Sequence, residues 1–271
     1  GSTSLTVSDA ANYAVNDVIS IYQNRDPDVI DDRGNTYLGE GCDDIKCADS
    51  HVFAQYAVIT AKNSNTLTIQ PPIYYVTLNP NHLELGQSIR KQTFKVVKAG
   101  LEDLRIEGTG TISQPIALEF TQNCWIKGID SYNNGGTIGD APHVWTMFSF
   151  QNEYRDNYLH SGGSHDSGKN YGFQQYNWNS QHKIENNIIR DTRHAITFEG
   201  GGSGNAILYN YMDDNWESEI ELPTTRNSRF LSEDAVANHG AHPYMNLWEG
   251  NCSADFWGDY TQGSSSHNTA C

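Results

Sequence analysis

Lysine, long apolar runs and helix signals are what this sequence has little of. No apolar stretch approaches the roughly 18 residues that a membrane-spanning helix needs, so membrane insertion is not expected. Lys plus Arg number 17 against 33 Asp plus Glu, a formal charge of −16. A surface of that sign repels nucleic acid and anionic membranes. It suits cations, neutral glycans, or anionic polymers bridged by Ca²⁺. No secretory leader is visible, since the chain opens on the strand-like GSTSLTVSD. That opening fits either removal of a leader or one piece of a longer chain. What is plentiful is Tyr, Trp, Asn, Gly and Ser, the composition of an extracellular β-protein, secreted or held at a cell surface.

Cysteine is sparse and odd in number, five in all. Cys42 and Cys47 flank a four-residue acidic loop, close enough for a local disulfide, and such a pair favours an oxidising compartment. Cys252 and Cys271 could close a second loop, leaving Cys124 free and buried.

Residues 1–98 read as a β-rich region of short strands, among them LTV, VISIY, YAVIT, TLTI and TFKVV, punctuated by Gly, Asn, Asp and Pro. From residue 99 onward the chain repeats itself. Leu101-Glu-Asp-Leu, Ile126-Lys-Gly-Ile, Tyr154-Arg-Asp-Asn-Tyr, Ile184-Glu-Asn-Asn-Ile, Ile207-Leu-Tyr-Asn-Tyr and Phe256-Trp-Gly-Asp-Tyr each set a polar interruption between apolar residues. Asp103, Gly128, Asn157, Asn187, Asn210 and Asp259 fall at the interruption, and these residue types tolerate the left-handed backbone of a bend. Asn at stacked bends can also hydrogen-bond up and down the stack, as amide ladders do. A second column of Phe120, Phe148, Tyr176, Phe198 and Trp248 precedes the bends and predicts an internal aromatic ladder on coils about 4.8 Å apart. One interval, roughly Asp213 to Pro243, carries a long insertion.

A β-sandwich has no reason to repeat aromatic and Asn positions in register, and a propeller repeats on a longer period. The expected fold is all-β, a right-handed parallel β-helix over 99–271. The stretch IENNIIRDTRHAITFEGGGSGNAILYNYMDD, with HGAHPYMNLWEGN and GSSSHNT after it, resembles the right-handed β-helix proteins of the pectate-lyase-like superfamily, and within them a bacterial secreted group of β-helix-repeat proteins. The resemblance covers roughly residues 50 to 271 and implies the fold. The paired Asp residues and Arg-Ile-Lys motif of the polygalacturonase-like branch are echoed only by Asp213-Asp214 and Asn238-His239-Gly240. The Arg-x-Pro-x-x-Arg pattern of pectate lyases is absent. No catalytic residue is therefore carried over.

Alignment of the repeats nevertheless pairs residues in space. It sets Glu199 and Glu249 on neighbouring coils about 5 Å apart, the separation of a retaining glycosidase's carboxyls or of a Ca²⁺ clamp; equally, each Glu, followed by Gly, could bond a turn. It also puts Tyr171, Arg193 and Pro243 on one level and Asn170, Thr192 and His242 on the next. That gathers Lys169, Arg193, His194 and His242 beside the insertion, with His239 near. A β-elimination lyase needs such a cation for the enolate and a base for the proton, while polar residues capping loop carbonyls would look the same. Trp216, Tyr171 and Tyr244 are candidates to stack on sugar rings. The run Asp26, Asp28, Asp31 and Asp32, with Asp43 and Asp44, is oxygen-rich enough for Ca²⁺ but matches no EF-hand.

Two functions follow. One is a carbohydrate-active or carbohydrate-binding β-helix, a polysaccharide lyase or glycoside hydrolase if it is an enzyme, acting along its groove. The other is a structural filament of copies stacked head-to-tail, because neither GSTSLTV nor GSSSHNTAC reads as a cap. The cysteine reading has a direct check: a non-reduced digest should yield Cys42 and Cys47 in one cross-linked species, and free thiols at both positions would refute it.

Overall fold

The computed structural model describes residues 1–23, 53–74, 87–108, 114–133, 141–162, 165, 169–216, 233–240, 243–258 and 265–271. Within them regular structure is strand, apart from a single 3₁₀ turn at Ala10–Asn12. Ser4–Thr6, Val18–Gln23, Phe53–Asn63, Thr66–Gln70 and Gln87–Lys91 form an antiparallel sheet. Period-two alternation explains its core: Leu67 and Ile69 are buried while Thr68 and Gln70 are exposed. Ile19, Ala57 and Ile59 complete that core.

The rest of the described chain winds as a three-walled solenoid of parallel strands. The first wall stacks Gly100–Glu102, Trp125–Lys127, Glu153–Arg155, Lys183–Glu185, Ala206–Leu208, Leu247–Glu249 and Thr269–Ala270. The second stacks Arg105–Gly108, Asp130–Asn133, Tyr158–His160, Ile188–Arg190 and Tyr211–Asp213. The third stacks Ile116–Glu119, Val144–Met147, Phe173–Gln175, His194–Phe198, Glu233–Asn238 and Phe256–Gly258. Each coil visits the walls in that order.

One apolar column from each wall fills the interior. Ile126, Tyr154, Ile184, Ile207 and Trp248 are in register on the first wall. Leu159, Ile189 and Met212 align on the second, and Val144, Phe173, Ile196 and Ala235 on the third. All belong to one buried cluster, and each large side chain contributes roughly 1.5–3 kcal/mol on burial.

Corners are built from two residue types. Between the first and second walls, Asp103, Gly128, Asp156, Asn186, Tyr209 and Gly250 take positive φ. The next residue in four of these corners is Asn157, Asn187, Asn210 or Asn251, and these four form the amide ladder. Each Nδ2 donates to the Oδ1 of the Asn one coil on, at 2.9 Å, for Asn157 to Asn187, Asn187 to Asn210 and Asn210 to Asn251. The same oxygens accept the backbone N–H of the preceding Asn at 3.0–3.1 Å. The expected ladder is therefore present, one position beyond the residue that bends the chain. Asp259 lies outside the described residues, but the expected segment is misplaced: Phe256–Gly258 belongs to the third wall, and Gly250-Asn251 supplies that corner. A second ladder, at the corner before the first wall, runs Asn152, His182, Asn205, Asn246 and Asn268. His182 stands there in an amide's place, its Nδ1 accepting from the Asn152 N–H at 2.9 Å.

The single aromatic column does not form. Phe120 and Phe148 stack, with centroids 5.0 Å apart, and Phe148 then meets Trp178 edge-on. Tyr176 lies beside Trp145, and Phe198 pairs with Gln175 on the third wall. Trp248 pairs with Ile207 on the first wall. Its ring meets that of Phe198 at 5.7 Å across the core, from another wall.

The antiparallel sheet packs on the corner between the third and first walls. Tyr56 and Val18 cluster with Phe150, Ser203 Oγ donates to the Ala54 carbonyl, and Gln181 Nε2 donates to Tyr74. Cys124 is buried and unbonded to another cysteine, as expected, with its thiol against the carbonyls of Val96 and Gln122. Cys252 and Cys271 do not pair: both are exposed free thiols. Register explains it, because Leu247 and Trp248 pair with Thr269 and Ala270, which sets Cys271 beside Glu249, while Cys252 lies past the corner beside Tyr211. Cys42 and Cys47 lie outside the described residues.

Asn187 is the test of the ladder. Asn187→Ala leaves the Asn157 backbone N–H and one of its two side-chain N–H groups without acceptors, which should cost about 2–4 kcal/mol, read as a lower denaturant midpoint. An unchanged midpoint would remove the ladder from the stability argument. Acid gives a second test. Burial pushes the folded-state pKa of His143 and His182 down to about 3, against about 6.5 in an unfolded chain. Below pH 6.5 the unfolded chain therefore binds protons that the fold refuses. Stability should be complete above that pH and fall from there toward pH 3. His182→Asn keeps an acceptor at the ladder position and should flatten the fall in Tm; parallel curves would refute the assignment.

Candidate functional site

The third wall's strand His194–Phe198 and the turn before it gather part of the expected cationic cluster. Arg193 Nη1 donates to Tyr171 Oη at 3.0 Å and contacts His194 Nε2 at 2.5 Å. Tyr171 Oη lies 3.0 Å from His239 Nε2, and the His194 and His239 rings are 5.0 Å apart. Tyr171, Arg193 and His194 are all buried, so the network joins coils at this corner. Its levels differ from the expectation. Phe173 pairs with Ile196 and His194 with Glu233, which puts Tyr171 opposite His194 and leaves Pro243 elsewhere, just before the bridge of Tyr244 to Ser203. Lys169 is partly buried at the start of this segment; His242 lies outside the described residues.

Glu199 and Glu249 are not neighbours in any wall. Glu249 pairs with Leu208 on the first wall and accepts from Tyr209 Oη at 3.1 Å. Glu199 follows the third wall's strand, accepts from Gln174 Nε2 at 2.7 Å, and bonds the Gln175 carbonyl through its N–H. The misplaced Trp248 carried Glu249 with it. The expected two-carboxyl site is therefore not built by this register.

The three expected sugar-stacking residues are engaged elsewhere. Trp216 lies flat on His165, with centroids 3.8 Å apart, and its Nε1 donates to Asp191. Tyr244 is buried beside His267, and Tyr171 belongs to the polar cluster. Asp26, Asp28, Asp31, Asp32, Asp43, Asp44 and residues 217–232 of the insertion lie outside the described residues. Among those described, no three His, Cys, Asp or Glu side chains are grouped to hold a metal ion.

The outer face of the second wall carries a surface that the sequence reading missed. Because Ser131, Leu159, Ile189 and Met212 point inward and are buried, their strand neighbours point out. One outer column is Arg105, Asp130, Tyr158, Ile188 and Tyr211. The next is Glu107, Tyr132, His160, Arg190 and Asp213. Tyr158, Ile188 and Tyr211 are 37%, 44% and 45% exposed, an apolar stripe running along the solenoid axis. His160 stacks on Tyr158, centroids 4.0 Å apart, and tilts against Tyr132 at 5.3 Å. His160 Nε2 lies 2.9 Å from Asp130 Oδ1. A sequence signal for this face exists. Tyr158-Leu159, Ile188-Ile189 and Tyr211-Met212 each set two apolar residues side by side in a strand, so both faces of the wall are apolar there.

The same architecture occurs in a solved viral protein. The tailspike protein gp49 from Pseudomonas phage LKA1 superposes with a TM-score of 0.60 at 14% identity, over 93% of this chain and 36% of that one. This chain is a right-handed parallel β-helix. It spans about a third of that tailspike's length. Two looser likenesses are the Gp54 tailspike of Acinetobacter baumannii bacteriophage AP22, in complex with A. baumannii capsular saccharide, and the Pseudomonas phage phi297 tailspike gp61. Their TM-scores are 0.43 and 0.44 and their identities 15% and 10%; each match covers 92% of this chain, and 39% and 50% of the other. No protein-family model and no curated protein matches the chain. No described helix is long and apolar enough to cross a membrane.

Proposed function

We propose that this β-helix binds a polysaccharide outside the cell, along the outer face of its second wall. The observation that carries the reading is the exposed column Tyr158, Ile188 and Tyr211, flanked by Tyr132, His160 and Arg190. Sugar rings offer an apolar C–H face and a rim of hydroxyls. Flat aromatic rings match the first, and Tyr, His, Arg and Asp side chains match the second. Tyr158 and Tyr211 stand two rungs apart, roughly 9–10 Å at sheet spacing, on the scale of a disaccharide. A contiguous exposed apolar stripe with a polar rim is a characteristic binding surface. The fold it shares with a phage tailspike is compatible with this role and does not establish it.

Binding, rather than cleavage, is the reading this face supports. Tyr171, Arg193 and His194 are buried and bonded to one another, which favours a framework role for them. Tyr158→Ala and Tyr211→Ala should each weaken retention on an immobilised polysaccharide by about tenfold or more, while Tm stays close to the wild type because both side chains are exposed. Affinity electrophoresis over a panel of polysaccharides makes the measurement. Retention of none by the unaltered protein, or equal retention by both variants, would sink the proposal.

A further inference from the structure

The charges around the second wall's apolar stripe restrict what kind of glycan it can take. Three cationic or titratable groups share the face, and each already faces a carboxylate. Arg105 Nη1 is 3.7 Å from Asp130 Oδ2, Arg190 Nε is 3.4 Å from Asp213 Oδ2, and His160 Nε2 is 2.9 Å from Asp130 Oδ1. Glu107 adds a further exposed carboxylate at the first coil. The centre of the stripe, Tyr158, Ile188 and Tyr211, carries no formal charge. Both long borders carry carboxylates: Asp103 and Asp156 at the corner before the wall, Asp156 paired with Arg155, and Asp191 and Asp214 at the corner after it, Asp191 facing His165. Asp156 is held below the usual carboxylate range, chiefly by the Asn186 amide hydrogen bond and then by Arg155, so it is ionised at neutral pH. The chain as a whole carries −16.

A uronate, sialate or sulfated glycan would have to displace these partners and approach through a negative field. Calcium could reverse that field by bridging, but the described residues hold no cluster of His, Cys, Asp or Glu fit for a metal ion. We infer that the second wall is a site for an uncharged glycan, held by ring stacking along the stripe and by hydrogen bonds from the polar columns. The inference rests on the reading of this wall as the polysaccharide-binding face. It sets acidic polysaccharides aside as ligands of this wall.

The experiment is affinity electrophoresis of the full chain against two sets of gels. One set contains uncharged polysaccharides (glucans, mannans, galactomannans); the other contains anionic ones (polygalacturonate, alginate, hyaluronate). Each is run at low and high salt, with Ca²⁺ and with EDTA. The expected result is retention by at least one uncharged glycan, unchanged by salt and by EDTA, and weakened about tenfold by Tyr158→Ala or Tyr211→Ala. Stronger retention by an anionic glycan, lost at high salt or in EDTA and still sensitive to the two tyrosine changes, would overturn the charge class and leave the binding face standing. Retention by no glycan, or retention indifferent to both tyrosines, would overturn the face and the charge class together. So would a concentration-dependent dimer that Tyr211→Ala dissolves, for then the stripe is covered by a second copy.

Discussion

Parallel strands stack about 4.8 Å apart, and in a solenoid that spacing has to hold at the corners as well as in the walls. A wall satisfies its own N–H and C=O groups through the ladder. A corner breaks the ladder, turns the chain, and leaves a backbone N–H pointing at the next coil with no carbonyl to meet it. Buried, that group would cost about 1–3 kcal/mol. Here the corner is solved by two successive residues with different duties. The first accepts a positive φ, and the second sends its amide inward to take the orphan N–H of the coil before. Since the amide both donates and accepts along the axis, one Asn per coil extends the ladder indefinitely. The register of everything else is set by it.

With the corners fixed, inside and outside are decided by parity. Residues alternate from the core to solvent along each short strand, and the core can be filled only by side chains of suitable bulk. The outside is constrained by nothing except solvation and neighbours one coil away. That freedom lets the walls differ. Loops after the second wall also vary without disturbing the stack: along the ladder, Asn157 to Asn187 spans 30 residues, Asn187 to Asn210 spans 23, and Asn210 to Asn251 spans 41.

The same physics explains what could be read from the amino-acid sequence. The Asn after the bend in four of the corners between the first and second walls both donates and accepts along the stack, so its recurrence is visible, and the fold with it. The bending residue is less distinctive. Asp156, Asn186 and Tyr209 share only a backbone angle, and Tyr209 is a type that rarely adopts it, so bend and ladder positions were merged into one. Aromatic identity misled for a related reason. The core needs volume, not a ring at a set height, and Phe198 and Trp248 fill one core from two walls. Aligning them across the longest interval displaced Trp248 by a wall and brought Glu249 to a place it does not occupy. The exposed column Tyr158, Ile188 and Tyr211 was not singled out, although each of its residues follows a ladder Asn directly.

Placement of that face follows from what the other surfaces carry. The corner between the third and first walls is covered by the antiparallel sheet, through Tyr56, Ala54 and Tyr74. On the first wall the middle coils are charged and cross-linked: Arg155 meets Glu153 and Asp156, and Lys183 meets Glu153 and Glu185. Such a surface is well solvated and offers a neutral ligand little to displace. On the third wall Thr197 and Val236, which alternate with the inward Ile196 and Ala235, are themselves fully buried, so the middle of that wall is closed to solvent. Among the described walls, the second is the one that leaves side chains as large as Tyr and Ile 37–45% exposed on three consecutive coils. The exposed Tyr-Ile-Tyr column contributes to folding only through its cross-strand contacts and the stacking of Tyr158 on His160. Its cost is a larger apolar area kept in contact with solvent, at roughly 25 cal/mol per Å², an area that the proposed glycan, lying along the axis, would cover.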